Sequence, residues 1–261
     1  MDQNLIENVI KRVKSEISEN RPCFASGLGN IGVTEFVGTA TGTSMGLVIA
    51  SADPMLVEKM KLGKYRSIGI IGGRSGAGPQ AMAVDDAVKA TNAEVISFQA
   101  CTDGCGGPGQ GSLIVIGAED VSDARRAVEI ALAGLNDRYF GDVYENESGF
   151  IEFQYTARAS SCLELAFGAK QGKAFGLLCC GPAVIGSVVS DTVLKAANVE
   201  AISYMSPSDG EGFTFSNEIA LTFTGDSGAV RQALRAGIDV GKKLLTAFGQ
   251  EPKSVGGVPY I

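Results

Sequence analysis

The decapeptide Lys89–Phe98, KATNAEVISF, returns at Lys195–Tyr204 as KAANVEAISY. Asp85 and Asp191, Lys89 and Lys195, Asn92 and Asn198, Glu94 and Glu200, and Ser97 and Ser203 all stand 106 residues apart. Agreement that runs through a helix, its end and the next strand marks a duplicated unit, and a period this long means two copies of a domain and not a solenoid. Farther along, Ser122, Ala124 and Arg126 match Ser227, Ala229 and Arg231 at 105, which predicts that the intervening loop is one residue shorter in the second copy.

The order of elements repeats with the sequence. In the first copy FVGTATGTSMGLVIA reads as strand and turn, DPMLVEKMKL as a short helix and YRSIGIIGG as a strand. A helix follows over Gln80–Thr91 with Val84, Ala87, Val88 and Thr91 on one stripe, then the strand EVISF, a loop, the strand SLIVIG and a Ser-capped helix over Ser122–Leu135. The second copy runs FIEFQYTARA, SCLELAFGA, AFGLLCCG, a helix over Ser187–Ala197, EAISY, a loop, EIALTF and a helix over Ser227–Leu245, again with a Ser cap. The apolar run AFGLLCCG makes Cys179 and Cys180 ordinary strand residues. Ahead of both copies, Leu5, Ile6, Val9, Ile10, Val13 and Ile17 recur at spacings of three and four, the mark of a short amphipathic helix over Asn4–Asn20. The glycine-bearing RPCFASGLGNIG then reads as a flexible connector. The expected division is 1–33 for this helix and linker, 34–148 for the first domain and 149–261 for the second.

Composition narrows the function. A hydrophobic fraction of 45% supplies two cores. A net charge of −7 without a Lys/Arg cluster argues against nucleic acid, and no apolar run reaches the length of a membrane span. The N-terminus lacks the continuous apolar segment of a secretory signal, so a cytoplasmic protein with reduced thiols is expected. The chain contains no histidine, which removes the commonest general base and the commonest metal ligand together.

The second copy carries a recognisable pattern: Lys195-Ala196-Ala197-Asn198 late in a helix, then a strand, a loop, a strand and Gly225-Asp226-x-Gly228-Ala229-Val230 opening the last helix. This resembles the bacterial microcompartment shell domain. The first copy matches less fully, through Lys89-Ala90-Thr91-Asn92 and Glu119-Asp120-Val121-Ser122-Asp123-Ala124. The strand and short helix that close an ordinary shell domain here precede each copy, so the chain is most similar to the circularly permuted, tandem, trimer-forming shell proteins of propanediol- and ethanol-utilisation compartments. The resemblance implies an α+β fold of two tandem permuted domains, each a small, mostly antiparallel sheet with flanking helices. It also implies a homotrimer that imitates a hexamer within a shell facet, meeting other shell proteins at its edges.

The resemblance also implies roles for particular residues. Lys89, Lys195 and Arg158 take the places of residues at the tile edge. The loop Cys101-Thr102-Asp103-Gly104-Cys105-Gly106-Gly107-Pro108-Gly109-Gln110-Gly111 takes the place of a central pore loop for small polar metabolites; its five glycines allow backbone to crowd an axis where a Cβ would clash. Ser206, Ser208, Asp209, Gly210, Glu211 and Gly212 would form a second rim. No cofactor is expected. Cys101 and Cys105 are read as inert thiols, with a metal or iron–sulfur cluster at a three-fold pore, or reversible oxidation, as the alternatives. The N-terminal helix either packs on its own assembly or docks encapsulated enzymes.

Against this stands a nucleotide-binding or Cys-dependent cytoplasmic enzyme. Gly76-x-Gly78-x-x-Ala81 loosely fits a dinucleotide turn, but Pro79 lies inside it and no suitably placed acid ends the next strand. A glycine cluster serving helix–strand packing accounts for the motif better. No catalytic residue is assigned.

Overall fold

A computed structural model describes residues 32–101, 111–207 and 217–261, and gives the backbone but not the side chain of Cys101. The body Glu35–Ile261 forms one unit. Its first half holds β1 (Phe36–Ala40), β2 (Ser44–Ile49), α1 (Pro54–Lys59), β3 (Ser67–Gly73), α2 (Ala77–Lys89), β4 (Glu94–Cys101), β5 (Gly111–Ala118) and α3 (Val121–Gly134). A π-helical turn, Leu135–Tyr139, extends α3. The second half holds β6 (Val143–Asn146), β7 (Gly149–Thr156), α4 (Ser161–Phe167), β8 (Ala174–Gly181), α5 (Ala183–Ala196), β9 (Val199–Met205), β10 (Ile219–Gly225), α6 (Ser227–Thr246) and β11 (Lys253–Ser254).

The two sheets share one topology. The first runs β1-β2-β3-β5-β4 and the second β6-β7-β8-β10-β9 with β11 added beside β6, and every pairing is antiparallel. Met45 pairs with Gly72 as Glu152 does with Cys179, and Leu47 with Ile70 as Gln154 does with Leu177. The short helices agree in detail: Asp53 and Ser160 cap α1 and α4 through side chains that accept from the amide two residues on, and Lys61 and Gly168 each take the left-handed conformation beyond the helix end.

The structure shifts the register read from Ser122 and Ser227. The last long helices open on Asp120 and Asp226, which lie 106 apart, and Ser122 sits inside α3. The buried faces agree: Ala124, Ala127, Val128, Ala131 and Leu132 in α3 answer Val230, Ala233, Leu234, Gly237 and Ile238 in α6. Strand β10 stands 107 residues after β5, so the connection before β10 is longer by one residue, not shorter, and the turn before α6 is shorter by one. Ser227 is the first residue of α6, and its hydroxyl meets the Tyr155 hydroxyl at 2.5 Å instead of capping the helix.

One face of each sheet is covered by its own long helices, with Gly46 and Gly69 leaving room for Val128 of α3. The other faces differ, and strand patterns record it. In β2 Ser44, Gly46 and Val48 point inward while Met45 is exposed and Leu47 and Ile49 are half-buried, the alternation of a sheet open on one side. In β7 the run Ile151–Tyr155 is buried throughout, and β8 is buried over its whole length. The cause is α2, which lies over the second sheet, so one core cluster joins Ala81, Met82 and Val84 to Leu163, Leu177, Cys179 and Ala220.

A strap from Gly256 to Ile261 locks the joint between the halves. Val258 donates its amide to the Asp137 carbonyl (3.0 Å), and the amides of Tyr260 (2.7 Å) and Ile261 (3.1 Å) donate to the Asp142 carboxylate. The Tyr260 hydroxyl donates to Gln154 Oε1 (2.8 Å) and accepts the Tyr155 amide (3.1 Å), while its ring packs edge-on against Tyr139. Replacing Tyr260 by Phe strands Gln154 Oε1 and the Tyr155 amide inside the protein, at about 1–3 kcal/mol. Tyr260→Phe should therefore lower Tm by roughly 2–10 °C in a thermal melt.

Candidate functional site

The best-built polar assembly in the chain lies where α2 and α4 meet across the two halves. Asp85, fully buried, accepts the Ser160 amide at the N-terminus of α4 through Oδ1 (2.7 Å) and the Lys89 ammonium through Oδ2. Lys89 also donates to the Thr156 hydroxyl (3.1 Å), which in turn accepts the Arg158 amide (3.3 Å). The Cys162 thiol points at the Ala81 carbonyl (3.5 Å). Burial and the Asp85 carboxylate push that thiol up. Gly78 sits against Glu152 and Leu177, where a Cβ would collide with the Glu152 carboxylate.

Glu152 is itself buried, beside Gln154 (3.4 Å) and Glu218. Loss of hydration first, and the Glu218 charge second, push its carboxyl up to about 8. Glu152 and Cys179 are register partners on β7 and β8, and the Cys179 thiol is hydrogen-bonded to Glu218. The described cysteines Cys162, Cys179 and Cys180 are free and buried.

The same elements of the other copy stand open. Lys195 pairs with Asp191 at 2.8 Å, as Lys89 pairs with Asp85, but the Lys195 side chain is 75% exposed against 21% for Lys89. On α5, Val184 (69% exposed), Ser187, Val188 (47%) and Asp191 face solvent at the positions where α2 buries Gly78, Ala81, Met82 and Asp85. On the first half, Met45 (44%), Met55 (69%), Leu56 and Leu113 are exposed where the second half buries Glu152, Cys162, Leu163 and Ala220. Among the described residues these surfaces are thus two unmatched halves of a joint that the chain completes once internally.

The structure brings Lys89 and Arg158 together around Thr156 and places Lys195 at the corresponding point of α5. Of the pore-loop residues, Cys101 ends β4 and Gly111 opens β5, with Gly111 pressed against Gly73 and Arg74; Ser206 ends the strand region of β9. Thr102, Asp103, Gly104, Cys105, Gly106, Gly107, Pro108, Gly109 and Gln110 lie outside the described residues, as do Ser208, Asp209, Gly210, Glu211, Gly212 and the N-terminal helix. Among the described residues no cluster of three or more His, Cys, Asp or Glu side chains is arranged to hold a metal ion. Gly76 and Gly78 of the dinucleotide-like turn lie against the Phe140 ring and the Glu152 carboxylate, where a Cβ would collide, so both glycines serve packing. Sequence reading missed Ser160, Thr156 and Glu152. Asp85 and Asp191 were visible only as matched positions, since nothing local says that one is buried.

A family model for the BMC domain matches residues 174–250. The bacterial microcompartment shell protein PduB of Salmonella typhimurium (strain LT2) is 56% identical over 223 residues, 85% of this chain and 82% of that protein. A trimeric bacterial microcompartment shell protein PduB of known crystal structure superposes with a TM-score of 0.82 at 49% identity, over 88% of this chain and 100% of that one. EtuB from Clostridium kluyveri superposes with a TM-score of 0.83 at 49% identity, over 87% and 99%. The chain belongs to the bacterial microcompartment shell proteins, in the tandem-domain type whose two antiparallel sheets are described above. That membership sets aside the enzyme alternative.

Asp85→Ala removes the acceptor for a buried amide and the partner of Lys89. It should cost about 3 kcal/mol, within the range for breaking a buried pair. Asp85→Asn, which keeps an acceptor for the Ser160 amide, should cost less, and urea unfolding midpoints of the two variants measure the difference.

Proposed function

We propose that three copies of this chain close head-to-tail into a tile of a microcompartment shell, with α5 of one copy taking on the next copy the place that α2 takes within one chain. The observation that carries the reading is the exposed joint: Val184, Val188 and Asp191 on one side, Met45, Met55 and Leu56 on the other. Contiguous exposed apolar side chains on a folded chain mark an interaction surface. A heterologous contact that repeats a step already made inside the chain adds two domains per copy and forms a closed ring when the rotation allows it. The trimeric PduB relative supports closure at three.

In this arrangement Val184 of one copy lies over Met45 and Ile70 of the next, as Gly78 lies over Glu152 and Leu177. Asp191 accepts the Asp53 amide as Asp85 accepts that of Ser160. Lys89, Arg158 and Lys195 mark the rim of these joints and serve as edge contacts to neighbouring shell proteins. The connections after β4 and β9, Cys101–Gly111 and Ser206–Gly212, surround openings for small polar metabolites. The amphipathic stripe Leu5–Ile17 is the segment for encapsulated enzymes. The tile catalyses no reaction and needs no cofactor. Among the described residues no helix is long and apolar enough to cross a membrane.

Two variants test the reading. Val188→Asp places an unpaired charge in the apolar joint, a cost of about 3 kcal/mol or roughly 100-fold in association, and light scattering should show single chains with unchanged helix content. Lys195→Gln should keep three chains per particle while electron microscopy shows loss of extended sheets; retention of sheets would remove Lys195 from the edge.

A further inference from the structure

Between the two halves of one chain the covered face of the second sheet carries Glu152, Gln154, Cys179 and Glu218, all buried. At the register-matched places the first sheet carries Met45, Leu47, Gly72 and Gly111, none of which titrates. The helices differ to match: α2 presents Gly78 to the carboxylate, and α5 presents Val184. An acid was placed in the joint within a chain and kept out of its counterpart.

We propose that the joint within each protomer is held shut by a proton on Glu152 beside Glu218, so that rising pH loosens α2 from the second sheet while the joint between copies is unaffected. The second clause rests on the trimer described under Proposed function; the first does not.

The surroundings of Glu152 support this. From β8 it faces Cys179 and, through its backbone, Cys180, from the segment before β10 Glu218, from its own strand Gln154, and near the strap Tyr260, whose amide is held by Asp142. The stretch of α2 above it, Ala77 to Met82, has no ionisable side chain; Asp85 and Lys89 farther along are engaged with each other. Among the described residues no cation shifts Glu152, and its near neighbour is a second carboxylate, so ionising it in the closed joint is unfavourable. Opening the joint exposes Glu152 to water, where its carboxyl returns to the ordinary value of 4.5. The closed state therefore binds one more proton than the open state between pH 4.5 and about 8. Closure is strongest below that window and weakens by about tenfold per pH unit across it. Above about 8 Glu152 is ionised in both states and the dependence stops.

Hydrogen exchange of the intact assembly from about pH 5 to 9, corrected for the intrinsic chemistry of amide exchange, reads the opening of α2 and α5 separately. The expected result is an opening constant for Ala77–Lys89 that climbs about tenfold per pH unit and levels near 8, with Ala183–Ala196 flat. Glu152→Gln should abolish the climb, and Glu218→Gln should move the levelling point to lower pH. A flat α2 in the unmodified protein, or an undiminished climb in Glu152→Gln, overturns the proposal. Should Glu152→Gln not fold, an unmoved levelling point in Glu218→Gln overturns it equally. Failure of the trimer appears elsewhere, as one chain per particle by light scattering with α5 unprotected at every pH.

Discussion

Everything in this molecule depends on the second face of a small sheet. A five-stranded antiparallel sheet covered by two helices still has an outer side, and in the first half that side leaves Met45 and Leu113 exposed. The second half solves the problem with α2 of the first, which turns β7 and β8 into strands buried on both faces. Among the described residues the first half has no such donor: Met45, Leu113, Met55 and Leu56 remain exposed while α5 offers Val184 and Val188 elsewhere. Incompleteness of this kind, not any catalytic geometry, defines what the chain does.

The two versions of the joint face different thermodynamic conditions. Halves of one chain meet at the high effective concentration that a short connection enforces, further fixed by the strap and its Tyr260 contacts, so this joint tolerates buried polar groups and a carboxyl pair. Separate copies must meet against the loss of translational freedom, and their joint has to supply the affinity itself through apolar area. Glu152 over Gly78, and in the proposed trimer Met45 facing Val184, are the chemistry suited to each condition. The ion pairs follow the same division. Asp85 and Lys89 are shielded and joined to the Ser160 amide, whereas exposed Asp191–Lys195 contributes little until a neighbour covers it.

Much of this was legible in the residues because duplication makes each half a control for the other. The repeat at 106, the strand–helix order and the Lys-x-x-Asn helix ends located the elements and the shell-domain pattern. Three things were not legible. The π-helical turn lies in the linking stretch, where no repeat exists for comparison, and β6, the counterpart of β1, shares no residue pattern with FVGTA that would reveal it; Tyr139 and Val143 are buried there. The Ser caps were misplaced because Asp120 and Asp226 precede each Ser by one or two residues, and identity matching favoured the serines over the acids. The buried Glu152 reads as an exposed strand residue, since burial from the far side by another domain leaves no local periodicity.

The substitutions at the joint also exclude wrong partners. If α5 of one copy settled on the second sheet of another, Val184 would occupy the place of Gly78, where even a Cβ collides with the Glu152 carboxylate. If α2 reached a first sheet, Gly78 would leave an unfilled gap beside Met45, with the loss of contact that such a void entails. In the proposed arrangement each helix therefore suits one sheet better than the other, on steric and solvation grounds together. In the trimer proposed above, the two kinds of joint would then alternate around the ring, each reinforcing the order of halves that fusion into one chain already imposes.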